Sequence, residues 1–399
     1  MTLLIISNFS YTFSWALHNY IEELRNIDPK SIISTEWKSN WKSLDINMFT
    51  GEDTLLLVGN FRDFRSYSKE PSFDQDLEKF IRKFPGNKAW QIYADLDHRI
   101  EDIVFGKKTL PKSVRNNEEF HRALELMKEF NILIWSNENS VSQEDSPFWP
   151  KNETTFWSRS ELDFHWANLL ETERILRDNF FKRIEWQHCV DLKWKIPMGL
   201  KSSITCYDLA IIGRKYDSRL YALTQLELAS TNLNPFQGTH DQRNQTNRII
   251  RKLGESLNVS SKTTHLLQIK SNYFRQQTQY LSSSAAWMDP GYFGYFVRKY
   301  LEATVMGCAL VGEFNSRIEN LGFVSGVNCA YIPTERIEFS TSKEMIRDRA
   351  QHRFLANNAM TLVETLHSTQ IRARQIYSAL IKKEFKSVYK FLSGEYVRH

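Results

Sequence analysis

At 399 residues the chain is longer than one ordinary core, and usual domain sizes predict two globular domains. Hydrophobic residues at 41% and charged residues at 25% are ordinary for a soluble protein, which excludes a disordered chain and a fibrous repeat. The net charge of +5, from 52 Lys and Arg against 47 Asp and Glu, suits an anionic ligand but is too small for a nucleic-acid-binding protein.

The four cysteines, Cys189, Cys206, Cys308 and Cys329, form no CxxC pair and have no neighbouring pair of histidines. Neither a zinc site nor a disulfide framework is expected, and a reducing compartment fits. The opening Met1–Ser7 is apolar but lacks a basic flank and is far shorter than a signal-peptide core. No window reaches the roughly 18 apolar residues of a membrane span. The segment reads as a first strand, and the expected location is cytoplasmic.

In chain order, Leu3–Ser7 is a strand and Trp15–Arg25 a helix, followed by strand Thr54–Gly59 and helix Phe73–Phe84. Strand Ala89–Ala94, helix Glu118–Phe130 and strand Ile132–Ser136 come next. Strands that are apolar throughout, with helices between them, predict a parallel sheet covered on both faces. Residues 137–160 are rich in Ser, Asn and Pro and read as loop, and residues 160–181 as a long helix with Ser160 and Asp163 at its start. The alternation restarts with strands at Tyr207–Gly213, Thr264–Ile269 and Ala309–Gly312. The polar Asn232–Asn247 is a loop or an exposed helix start, and Ser342–Phe391 reads as almost wholly helical.

The fold class is therefore α/β, with two Rossmann-like domains and a helical C-terminus. Residues 1–188 form the first domain, 189–345 the second, and 346–399 helices near their junction. Two such sheets predict a ligand cleft at the C-terminal ends of their strands.

Pro290-Gly-Tyr-Phe-Gly294 leads into a helix over Val297–Met306, then Gly307 and the strand Ala309–Gly312. A glycine loop entering a helix offers free N–H groups and a positive dipole end to a phosphate. Glu302, placed two turns into that helix, can accept hydrogen bonds from ribose hydroxyls. In Tyr207–Arg219, a buried strand ends at Gly213 and basic side chains follow at Arg214 and Arg219.

Lys299-Tyr-Leu-Glu-Ala-Thr-Val-Met-Gly-Cys-Ala-Leu-Val-Gly312 resembles the (F/L)EAMACGxPVV signature of group 1 glycosyltransferases. Glu319–Ile332 resembles their E-L-G-F-x-D-G-x-N-x-x-x-Y stretch. Arg298 and Lys299 ahead of Glu302, with His367 and Arg372-Ala-Arg-Gln375 later, are most similar to the CgeB-like branch.

The resemblance spans residues 186–380 and implies a GT-B architecture: two Rossmann-like domains facing across a cleft, the donor held by the second and the acceptor by the first. It implies transfer of a sugar from a nucleotide-diphosphate sugar to an acceptor that is a glycan, a protein or a lipid-linked molecule. Neither metal nor other cofactor is expected. Gly213, Arg214, Arg219, Gly291, Gly294, Arg298, Lys299 and Glu302 are the implied donor contacts. The arginines are suited to bidentate bonds with a diphosphate and to stabilising the departing nucleotide. One departure stands out: Gly294 occupies the position, eight residues before Glu302, where the family has a second glutamate. The donor-sugar contact of that glutamate is then missing or supplied otherwise.

In the first half, Asp95, Asp97 and His98 follow an apolar strand. Asp95-x-Asp97 has a metal reading, as in GT-A enzymes, which a GT-B cleft does not require. The alternative is that one of the three contacts the acceptor or acts as its base. His188 and His367 read as structural, and Trp149, Trp157 and Trp166 as core or as stacking platforms for acceptor sugars. The C-terminal Ala379–Leu392, with Lys382, Lys383, Lys386 and Lys390, either covers the domain junction or makes a peripheral membrane contact. Two other functions compete. A nucleotide-sugar epimerase needs an acid/base cluster around one sugar, which the sequence does not display. A non-catalytic glycan- or nucleotide-binding protein could keep the same fold.

Overall fold

The computed structural model describes residues 1–7, 14–37, 40–59, 73–92, 128–136, 182–186, 189–212, 233–234, 240–257, 276–289, 298–314, 318–319, 321–332 and 344–382, with 64, 125–126, 224, 267 and 274. By its contacts the chain forms two compact units. The first contains Met1–His188 with Arg372–Phe391, and the second contains Cys189–Ile371.

The first unit carries strands β1 (Leu3–Ser7), β2 (Ile32–Glu36), β3 (Thr54–Val58), β4 (Asn87–Ile92), β5 (Ile132–Ser136) and β6 (Lys182–Trp186), with helices α1 (Ser14–Ile27) and α2 (Gln75–Lys83). The sheet order is β2-β1-β3-β4-β5-β6, and every pairing is parallel. Strands β1 and β3 are buried at every position, as central parallel strands covered on both faces must be. Asp74 starts α2 by accepting from the Asp76 and Leu77 amides, and acidic residues in its first turn and basic ones in its last complement the dipole. Leu77, Phe80 and Ile81, at i, i+3 and i+4, form its buried stripe.

Asp53 joins the sheet's starting edge. Its carboxylate, on a residue 4% exposed, accepts from the Thr50 amide at 2.7 Å, the Thr50 hydroxyl at 3.1 Å and the Thr2 amide. Burial pushes its pKa up, but these hydrogen bonds and the N-terminal charge outweigh that and hold it below the usual carboxylate value.

The second unit contains α3 (Met198–Ile204), β7 (Tyr207–Ile211), β8 (Leu233–Asn234), α4 (His240–Ser256), β9 (Ser283–Met288), α5 (Lys299–Val305), β10 (Ala309–Gly312), β11 (Ala330–Tyr331) and α6 (Arg349–Leu362). A π-helical turn, Val363–His367, follows α6, and the unit boundary falls within α7 (Thr369–Leu380). This sheet is also wholly parallel, in the order β8-β7-β9-β10-β11. Both sheets thus place their second strand beside the first on one side and their third on the other. That is a doubly wound order, with switch points at β1/β3 and β7/β9.

Buried polar groups in the second unit have partners that fix their roles. His352 meets the Ser284 hydroxyl at Nδ1 (2.8 Å) and the Met345 carbonyl at Nε2 (3.0 Å). The carbonyl can only accept, so Nε2 carries the hydrogen, and burial lowers the imidazole pKa. Lys201 donates to the Tyr280 and Leu281 carbonyls at the end of the helical residues 276–281, which suits a cation at a helix C-terminus; burial pushes its pKa down. His367 is a packing residue, stacked 5.9 Å from Phe323 and bonded to the Leu321 carbonyl at 2.9 Å.

The α/β class and the helical C-terminal region are as expected, while several elements differ. Leu267 is helical, not part of a strand over Thr264–Ile269, whose other residues lie outside the described ones. The third strand of this sheet is instead β9, whose Ser-Ser-Ala-Ala start lacks the large apolar residues that mark a strand. Strands β2 and β6 were not expected, β7 stops at Ile211, and the polar Asn232–Asn247 holds β8 and the start of α4. All four cysteines are free. Among the described residues no helix is long and apolar enough to cross a membrane.

Candidate functional site

Helix α5 begins after Arg298, so Glu302 falls in its first turn and not two turns in. Tyr300 through Val305 are all buried. The helix ends where Gly307 takes φ +72°, a left-handed conformation that favours glycine. Strand β10 then runs to Gly312, also at positive φ, where a Cβ would stand 2.1 Å from the Met288 carbonyl oxygen of β9.

The Glu302 carboxylate is the chemically distinctive group here. The residue is 2% exposed, and its Oε2 accepts from Gln276 Nε2 at 2.6 Å. Its Oε1 lies 2.5 Å from Arg298 Nε, but in an ion pair that lacks hydrogen-bond geometry, so this buried oxygen has no hydrogen bond. Lys299 Nζ lies 3.3 Å from Asp289 Oδ2, and Asp289 is the buried residue directly after β9. That contact ties the start of α5 to the C-terminal end of β9.

Topology gives this location its meaning. Strands β7 and β9 are paired neighbours, with Ile211 opposite Trp287, and they flank the second sheet's switch point. Open α/β sheets bind ligands outside the C-terminal ends of their strands at such points. Of the sequence-predicted residues, Arg298, Lys299 and Glu302 are brought together here. Gly213, Arg214, Arg219, Gly291 and Gly294 lie outside the described residues, as do Asp95, Asp97 and His98. Among the described residues no group of three His, Cys, Asp or Glu could hold a metal ion.

Gln276 and Asp289 are the site residues that sequence reasoning missed. The signal for Asp289 was its place just after a strand, but β9 was itself unrecognised. Gln276 carries no sequence signal, because its partner is 26 residues away. The arrangement can bind a ligand's hydroxyls at Glu302, because one carboxylate oxygen is fixed by Gln276 and the other faces the part-exposed Arg298.

Fold and site define an α/β chain of two doubly wound parallel sheets, with a buried carboxylate and two cations beside the C-terminal end of β9, one of the two strands that flank the second sheet's switch point. No family model and no curated protein matches the chain. Among solved structures it is similar to Anabaena HepE in complex with UDP-glucose, at 12% identity and TM-score 0.46, over 96% of this chain and 100% of that one. It is also similar to sucrose-phosphate synthase from Thermosynechococcus elongatus, at 9% identity and TM-score 0.44, over 97% and 100%. An E. coli protein bound with UDP-2-fluoro glucose gives 8% identity and TM-score 0.45, over 96% and 99%. Likeness at this level says nothing of substrate.

Proposed function

We propose that the chain is a glycosyltransferase that moves a sugar from a nucleotide-diphosphate sugar to an acceptor, with the nucleotide bound at the second sheet's switch point. The observation that carries the reading is Glu302: a carboxylate buried in the first turn of the helix after β9, with one oxygen free of hydrogen bonds. Its role is to accept the two ribose hydroxyls. In the same reading Arg214 and Arg219, which follow β7, bind the diphosphate and stabilise the leaving nucleotide, and no metal is required. The first unit takes the acceptor, with Asp95, Asp97 or His98 as its base. The sequence resemblance to group 1 glycosyltransferases over Lys299–Gly312 and Glu319–Ile332 supports the same assignment.

The test is calorimetric titration of wild type, Glu302→Ala and Glu302→Gln with UDP and GDP. Each charge-assisted hydrogen bond is worth about 1.5–3 kcal/mol, so losing the ribose contacts weakens binding by about a hundredfold or more. Unchanged affinity in folded variants rules out the ribose role. Turnover of nucleotide sugars with and without acceptor then separates a transferase from an epimerase, which turns over donor alone, and from a binding protein, which turns over none.

A further inference from the structure

We infer that Gln276 is a positioning residue for nucleotide recognition: its amide holds Glu302 Oε2 and so presents Oε1 to the ribose hydroxyls, which displace the Arg298 side chain. The inference rests on the proposed ribose role of Glu302.

The two carboxylate oxygens have unequal surroundings. Oε2 accepts a hydrogen bond of 2.6 Å from a side chain on a neighbouring helical segment, residues 276–281. Oε1 has no hydrogen bond and is covered by Arg298, whose side chain is 33% exposed against 3% for that of Glu302. A neutral amide donor fixes a carboxylate without neutralising it, which keeps the charge that strengthens a bond from a ligand hydroxyl. Arg298 is the more exposed partner and has a further interaction besides Glu302, so its side chain has another place to bond when the ligand displaces it. A hydroxyl directed at Oε1 exchanges the 2.5 Å ion pair with Arg298 for a hydrogen bond from the ligand, so recognition is a swap of partners at that oxygen. A flexible carboxylate would pay rotamer entropy on binding, which the Gln276 bond removes in advance.

The chemistry recognised is a vicinal diol on a nucleoside diphosphate, so the probes are UDP and GDP, each against its 2′,3′-dideoxy analogue. Titrations use the full-length chain as wild type, Gln276→Met, Gln276→Glu and Glu302→Ala, with thermal melts as folding controls. Gln276→Met keeps the side-chain length and removes the donor. It is expected to weaken UDP or GDP by about tenfold while leaving the dideoxy analogue unchanged. Gln276→Glu adds a second carboxylate against Oε2 and is expected to lose more. Equal losses for both nucleotides would mark Gln276 as merely structural and overturn the inference, as would no loss in either variant. A wild type that does not bind UDP or GDP more tightly than the dideoxy analogue, or a Glu302→Ala protein that keeps that discrimination, removes the Glu302 reading itself. A Glu302→Ala effect with normal Gln276→Met removes this inference alone.

Discussion

Lys299 has two readings, a donor contact and the structural partner of Asp289, and Lys299→Met separates them. The pair is 3.3 Å apart with side chains 13% and 3% exposed. At an effective dielectric near 20, the gross attraction at that distance is about 5 kcal/mol. Desolvation of both ions offsets most of it, so the pair adds little net stability, but removing one partner strands the other. An unpaired buried charge costs about 3–5 kcal/mol. Asp289 has a further interaction besides Lys299, which puts the cost at the lower end, about 3 kcal/mol. In a unit of this size that is a drop of about 6–12 °C in melting temperature. Asp289→Asn with Lys299→Met should recover much of the loss, because neither ion of this pair is left buried without the other. Denaturant titrations of wild type, both single variants and the double variant give the coupling energy. Single-variant losses that simply add, within about 0.5 kcal/mol, would refute a structural pair. A stable Lys299→Met protein that has lost UDP or GDP affinity would instead make Lys299 a donor contact.

Asp53→Ala leaves the Thr50 and Thr2 amides without their acceptor, which should cost about 2–4 kcal/mol at pH 7. The folded-state pKa of Asp53 is held below its unfolded value, so its contribution is complete above the ordinary carboxylate range and lost as pH falls through the folded value. Melting curves of wild type and variant should therefore converge in acid, and a gap independent of pH contradicts the assignment. Gly312→Ala forces a Cβ to within 2.1 Å of the Met288 carbonyl oxygen at a positive φ, and a loss of about 3 kcal/mol is expected. Gly51→Ala, with nothing within 4 Å of the added Cβ, is its control and should change stability by less than about 1 kcal/mol. Equal melting temperatures for the two variants would defeat that argument.

Which elements could be foreseen follows from how each is covered. Strands β1, β3, β5 and β10 are continuous apolar runs bounded by polar or turn residues, and they were expected within a residue of their observed limits. Strand β9 is just as buried, but it begins Ser-Ser-Ala-Ala, and its residues become strand through their neighbours β7 and β10 and not through propensity. Strand β2 is partly exposed at the edge of its sheet, with Ile-Ile-Ser-Thr-Glu giving no alternation. In the site, Glu302 was legible from a local pattern of helix, turn glycine and strand. Gln276 and Asp289 depend on which segments the topology makes adjacent, and one sequence carries no such pair information.

The Arg298–Glu302 spacing alone argues for nothing more than an exposed ion pair of adjacent turns, worth a few tenths of a kcal/mol. Such a pair keeps both charges in water. Here the pair is lopsided: the carboxylate is almost fully buried, the guanidinium is a third exposed, and one buried oxygen lacks a hydrogen bond. That arrangement is a poor way to stabilise a helix, because a desolvated, under-bonded carboxylate costs more than a surface pair returns. An apolar residue at 302, on a helix whose Tyr300 through Val305 are all buried, would carry no charge to desolvate. The carboxylate therefore needs a reason outside the fold, and a ligand hydroxyl that completes its hydrogen bonding supplies one. On this argument Glu302→Leu should melt at or above the wild-type temperature while losing UDP or GDP affinity. A Glu302→Leu protein that is destabilised by several kcal/mol would return Glu302 to the core as a structural residue.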